Sequence, residues 1–83
     1  MIVEASLFGF GDERPLAFGT NNNLALTLPD PATVAAALEK SGITDPESLS
    51  IIVNGTMVPR SDWGSSQLAD GDSLQFLMAI EGG

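Results

Sequence analysis

DGDSLQFLMAIEGG, residues 70–83, joins an Asp-Gly-Asp turn to a long apolar strand and ends on two glycines. Leu74, Phe76, Met78 and Ile80 alternate onto one face and Leu77 falls on the other, so a strand is expected from Ser73 to about Ile80. A strand this long and apolar needs cover on both edges, which sets it in the middle of a sheet. The rest of the chain must supply its neighbours and a layer over one face.

Those neighbours are found by reading outward. Ile2 to Phe8 (IVEASLF) alternates, with Val3, Ala5 and Leu7 on one face and Glu4 and Ser6 on the other, the pattern of a half-buried strand. A loop rich in Gly, Asp, Pro and Asn leads to a second strand, about Asn23 to Leu28, with Leu24, Leu26 and Leu28 in phase; the two strands are expected to pair antiparallel. The period then changes. Val34, Ala37 and Leu38 stand at i, i+3 and i+4, which predicts a helix over about Pro31 to Lys40, capped by Asp30, with Pro31 in its first turn and Gly42 at its stop. ITDPESLS is a linker around Pro46 with room for one helical turn. Beyond it come a short buried strand (Ile51 to Val53), a tight Asn54-Gly55 turn, and a brief edge strand at Met57-Val58 stopped by Pro59.

One amphipathic helix and a mixed sheet of four to five strands bury their apolar faces when the helix crosses one side of the sheet, a two-layer α+β arrangement. The first and last strands are expected to be central and parallel. This is the β-grasp, or ubiquitin-like, arrangement, expected over residues 1–80 and followed by a flexible tail, Glu81, Gly82 and Gly83. Leu24, Leu26, Val34, Leu38, Ile51, Val53, Leu74 and Phe76 are the expected core.

Composition narrows the function. Eleven acidic residues against three basic ones (Arg14, Lys40, Arg60) give a net charge of −8, which repels phosphate backbones and anionic lipid and argues against nucleic-acid or membrane partners. The same charge favours encounter with a basic protein surface, or simply keeps a small domain soluble. There is no cysteine and no histidine, so thiol nucleophiles, disulfides and the usual soft-metal ligands are absent. Asp70 and Asp72 supply too few oxygens for a metal and read as turn residues. Gly9-Phe10-Gly11 opens no helix and is no phosphate loop. No nucleophile, base and orienting group can be assembled from this inventory, so a carrier or binding module is expected and an enzyme is not. Without a basic leader or a long apolar run the chain reads as cytoplasmic, and Asn54-Gly55-Thr56 reads as turn chemistry, not a glycosylation site.

Val53-Asn54-Gly55 leading to Val58-Pro59-Arg60, then Trp63, Leu68, Asp70-Gly71-Asp72, the strand through Phe76 and the terminal Gly82-Gly83 resemble the ThiS/MoaD family of sulfur-carrier proteins, in order over residues 51–83. LFGFGDE and the long first hairpin look like the molybdopterin-type members; NGTMVPRSDW looks like the thiamine type, and both pathways stay open. The resemblance implies that Gly83 is adenylated by a ubiquitin-activating-type adenylyltransferase using ATP and converted to a thiocarboxylate with sulfur from a donor such as a cysteine desulfurase. The receiver would be a thiazole synthase or the large subunit of a molybdopterin synthase. No cofactor is expected on the chain itself. The family's partner surface is the open sheet face beside the tail, so Leu77, Met57 and Phe8 are candidates for an apolar docking patch. Arg60 is a further candidate contact, or a local pair with Asp62, and Trp63 is expected to cap a small core. A ubiquitin-like modifier joined to lysines through Gly83, or a plain β-grasp interaction module, are the other readings.

Overall fold

The computed structural model describes residues 1–10, 15, 18–43 and 48–78. Five strands and one α-helix are formed by these residues: β1 (Ile2–Phe8), β2 (Asn23–Thr27), α1 (Val34–Ser41), β3 (Leu49–Val53), β4 (Thr56–Val58) and β5 (Ser73–Met78). The sheet order is β2-β1-β5-β3-β4. β1 and β5 run parallel from Glu4↔Ser73 to Phe8↔Leu77, and the other pairs are antiparallel. The apolar β5 is therefore covered on both edges, as its composition requires.

Register assigns each side chain to a layer. Val3, Ala5, Leu7, Leu74, Phe76, Leu49 and Ile51 share the covered face and are buried. Val34 and Ala37 of α1 and Trp63 belong to the same cluster. Leu24, Leu38 and Val53 are half-buried against it. The loop after β1 adds two aromatic core members that the strand and helix periods do not announce, Phe10 and Phe18.

α1 begins later than the proline pattern predicts. Thr33, not Asp30, is its cap, and its hydroxyl accepts the Ala36 N–H at 3.3 Å. The preceding residues are held extended: Thr33 bridges Gln67, and the Leu68 N–H donates to the Ala32 carbonyl at 2.8 Å. The other exposed donors of the first turn, which a helix cannot satisfy internally, go to a distant loop, Val34 N–H to Ser66 O at 2.9 Å and Ala35 N–H to Trp63 O at 2.8 Å. Gly42 ends the helix as expected, in the left-handed region at φ 86 with its N–H on the Glu39 carbonyl. β3 starts at Leu49, two residues before the apolar run at Ile51, because Leu49 pairs with Met78 over the core. The proposed turn at Pro46, the extension of the last strand to Ile80 and the tail at 81–83 lie outside the described residues.

The Asn-Gly and Asp-Gly-Asp turns are tied together. Asn54 (φ 50) and Gly55 (φ 87) make the two-residue turn whose twist suits a hairpin. The Asn54 side chain then donates to Asp72 Oδ1 at 2.9 Å and accepts the Ser73 N–H at 2.9 Å. The second Asp72 oxygen accepts the Ala69 N–H at 2.8 Å, and Asp70 accepts the Ile2 N–H at 2.7 Å. These carboxylates fasten the ends of β1, β3 and β5 at one edge of the domain. Asp72→Ala leaves the Ala69 and Asn54 donors without their partner and is expected to lower unfolding free energy by about 1–3 kcal/mol. Urea denaturation followed by Trp63 fluorescence checks it; an unchanged midpoint would show that solvent replaces the latch at no cost.

Candidate functional site

The apolar residues that the core does not use stand on the open face: Ile2, 53% exposed, at the latched start of β1, and a strip that begins at the opposite end, where β1 and β5 finish side by side. Phe8, 47% exposed, is the register partner of Leu77 on β5. Leu77 is half-buried, faces Ser50 on β3, and lies outside the core cluster. One pair further along, Ile52 faces Gln75 on one side and Met57 on the other, and Met57 is 60% exposed. Phe8, Leu77, Ile52 and Met57 therefore run diagonally over four strands on the face that α1 leaves open. Glu4, Ser6, Ser50, Ser73 and Gln75 share that face and border the strip. An apolar strip with a polar rim is the composition of a protein contact surface.

Three of the four expected contact residues, Phe8, Leu77 and Met57, are thus brought onto one face, with Leu77 next to the point where β5 hands the chain on to residues 79–83. Arg60 stands elsewhere. It lies in the 3₁₀ turn Arg60–Asp62 after β4, with its guanidinium carbon 4.7 Å from the centroid of the Trp63 ring, a cation–π contact. Trp63 is 7% exposed and donates its indole N–H to the Val58 carbonyl at 3.0 Å, which makes it the core cap expected of it. Ile52 was not among the expected contacts. Its signal is indirect: Ile51-Ile52-Val53 has no phase of its own, but the two-residue Asn54-Gly55 turn fixes Val53 opposite Thr56 and hence Ile52 opposite Met57.

Among the described residues no buried side-chain oxygen or nitrogen lacks a partner, and no three carboxylates group around a possible ion. The one buried polar side chain among them, Ser41, is occupied structurally: it donates to the Leu38 carbonyl at 2.6 Å and accepts the Ile43 N–H at 3.3 Å. No helix of the described residues is long and apolar enough to cross a membrane. Among these residues the conspicuous feature is a surface, and it adjoins the strand that leads to Gly82-Gly83.

A mixed five-stranded sheet with a parallel central pair and one helix across a single face defines a β-grasp, ubiquitin-like domain. Sequence comparison makes the assignment narrower: the profile of the ThiS family matches residues 10–83, and the chain belongs to that family of small carrier proteins. No curated protein matches the chain. Solved structures share its fold at low identity. SAMP1 from Haloferax volcanii superposes with a TM-score of 0.75 at 18% identity, covering 100% of both chains. The thiamine biosynthesis protein ThiS from Geobacter metallireducens gives 0.64 at 18%, covering 96% of this chain and 99% of that one. A chain from the complex of subunits 1 and 2 of the molybdopterin-converting factor of Helicobacter pylori gives 0.61 at 20%, covering 100% of both. The fold is thus common to sulfur carriers and to small archaeal modifier proteins.

Proposed function

We propose that the protein is a sulfur carrier whose reactive group is the carboxyl of Gly83. A carboxylate is a poor electrophile. Attack by its oxygen on the α-phosphorus of ATP, held by a partner adenylyltransferase, expels pyrophosphate and leaves an acyl-adenylate. The terminal sulfur of a partner persulfide, supplied by a donor such as a cysteine desulfurase, then displaces AMP. A thiol takes the second sulfur of the resulting acyl disulfide as a mixed disulfide and frees the thiocarboxylate. The chain acts as substrate throughout and holds no cofactor; ATP belongs to the activating enzyme. Dependence on ATP and a reduced sulfur donor fits a cytoplasmic setting.

The observation that carries this reading is the family match, which runs through Gly82-Gly83 on a domain whose open face is apolar beside the tail-bearing strand. Glycines suit the role, because without Cβ atoms the chain can thread a narrow channel and no side chain crowds the carbonyl under attack. Phe8, Leu77, Ile52 and Met57 form the docking strip, and Arg60 on its Trp63 ring marks a second contact past β4. The receiver is a thiazole synthase or a molybdopterin synthase large subunit; the Helicobacter pylori pair, a complex of two subunits, supports a protein receiver of this kind.

Intact-mass measurement tests the reading. With ATP, an activating enzyme from the same source and a sulfur donor, the chain should gain the mass of one oxygen replaced by sulfur, and deletion of Gly83 should abolish the gain completely. No gain with any related activating enzyme would overturn it. Isopeptide-linked adducts in cell extract, in place of free thiocarboxylate, would instead identify a protein modifier, since the two chemistries are shared only as far as the adenylate.

A further inference from the structure

From the backbone of β2 we infer a second binding site, one that accepts an extended basic peptide as an added strand at the free edge of the sheet. The Leu28 N–H donates to the Met1 carbonyl at 2.8 Å, the Met1 ammonium donates to the Leu28 carbonyl at 2.8 Å, and the Leu7 N–H donates to the Asn22 carbonyl at 2.7 Å. In an antiparallel pair the groups facing the partner alternate. Leu24 and Leu26, opposite Ala5 and Val3, therefore point their N–H and C=O groups at β1, and Asn23, Ala25 and Thr27 point theirs away from the sheet. All three are exposed, and no described residue bonds those outward groups.

Proteins normally blunt such an edge with charge, proline, a bulge or brevity. The other edge of this sheet is blunted: β4 has three residues, ends at Pro59, and by the same alternation turns only Met57 outward. β2 has none of these devices. Its five residues, NLALT, carry no charge and no proline, and pair with β1 residue for residue.

The surroundings specify the occupant. Beyond the end of β2 the surface shared with α1 forms a groove lined by Leu28, Pro29, Ala36, Glu39 and Lys40. Glu4 lies one strand in from Ala25 on the open face, and Asp30 is exposed just past the strand. Three carboxylates against one ammonium border the edge, on a chain of net charge −8. A second copy would bring like charge to like charge. A segment alternating apolar and basic residues would pair its backbone with Asn23, Ala25 and Thr27, set apolar side chains toward the Leu28-Pro29-Ala36 groove on the α1 side and place its cations on the open face near Glu4.

The site is separate from the tail and its chemistry, so its test needs no activation. The full chain, labelled for NMR, is titrated with blocked Lys-Val-Lys-Val-Lys-Val and with its Glu-Val counterpart. At saturation the basic peptide should slow amide exchange at Asn23, Ala25 and Thr27 by about tenfold or more, and the acidic one should leave it unchanged. Ala25→Pro removes an outward N–H that the β1 ladder does not use and should weaken binding about tenfold. Glu4→Lys should weaken it about threefold and keeps the test decisive if the proline variant fails to fold. Equal binding of both peptides, shifts confined to Phe8, Leu77 and Met57, or no binding would overturn the inference. Protection that grows with protein concentration without peptide would overturn it too, by making a second copy the occupant.

Discussion

Phe76→Ala is expected to destabilise the domain by about 3–5 kcal/mol. Phe76 has no exposure, sits on the central strand, and lies between Leu7 on β1 and Ile51 on β3, which are themselves 3% and 0% exposed. Deleting its ring removes dispersion contacts on both sides and leaves a cavity that neighbours on paired strands cannot collapse into without breaking the ladder. A domain of this size has only about 5–10 kcal/mol of stability in total, so the variant should keep little margin and lose on the order of 20 °C in Tm. The lone tryptophan, buried in the same cluster, reports the transition by fluorescence in urea. A loss below about 1 kcal/mol would mean that this centre is loosely packed and that the β5 pairings, not its side chains, hold the sheet.

The same strand shows what the sequence does and does not disclose. Alternation in IVEASLF and SLQFLM placed Val3, Ala5, Leu7, Leu74 and Phe76 on the covered face correctly, because a period of two maps directly onto the two sides of a sheet. The central parallel pair followed from the need of an apolar strand for neighbours, and Asn54-Gly55 and Gly42 followed from φ values that few residues tolerate. What escaped was decided by contacts distant in sequence. The start of α1 moved to Val34 because carbonyls of Trp63 and Ser66 take its first N–H groups and Gln67 holds Thr33 extended. No local pattern at PDPAT encodes that. Phe10 and Phe18 reach the core from a loop, where neither helical nor strand periodicity applies. Of the apolar strip on the open face, the facing of Phe8 and Leu77 was legible from phase, whereas that of Ile52 needed the register that the hairpin turn sets.

Leu77→Glu should have the opposite profile to Phe76→Ala: a stability change within about 1 kcal/mol and a fall of about thirtyfold or more in kcat/KM for thiocarboxylation by the activating enzyme. The two residues are adjacent in sequence and on opposite faces. Leu77 packs on neither α1 nor the core cluster; its neighbours are Phe8 and Ser50 on the open side, so a carboxylate there remains hydrated in the free protein. In a complex the same carboxylate would be driven into an apolar contact at the middle of the strip, where desolvation is costly and its described neighbours, Phe8, Ser50, Ile52 and Met57, offer no cation. A further acidic charge cannot be blamed on lost long-range steering, since it would speed encounter with a basic partner. The loss should therefore appear in KM and in complex lifetime, with kcat at saturating carrier nearly unchanged, because the reacting carboxyl at Gly83 is untouched. Glu4→Gln, on the same face but off the strip, serves as the control and should change kcat/KM by less than about threefold. If Leu77→Glu thiocarboxylates at the parent rate while Met57→Glu also does, the open face is not where the activating enzyme docks, and recognition must lie past β4 with Arg60 and Trp63.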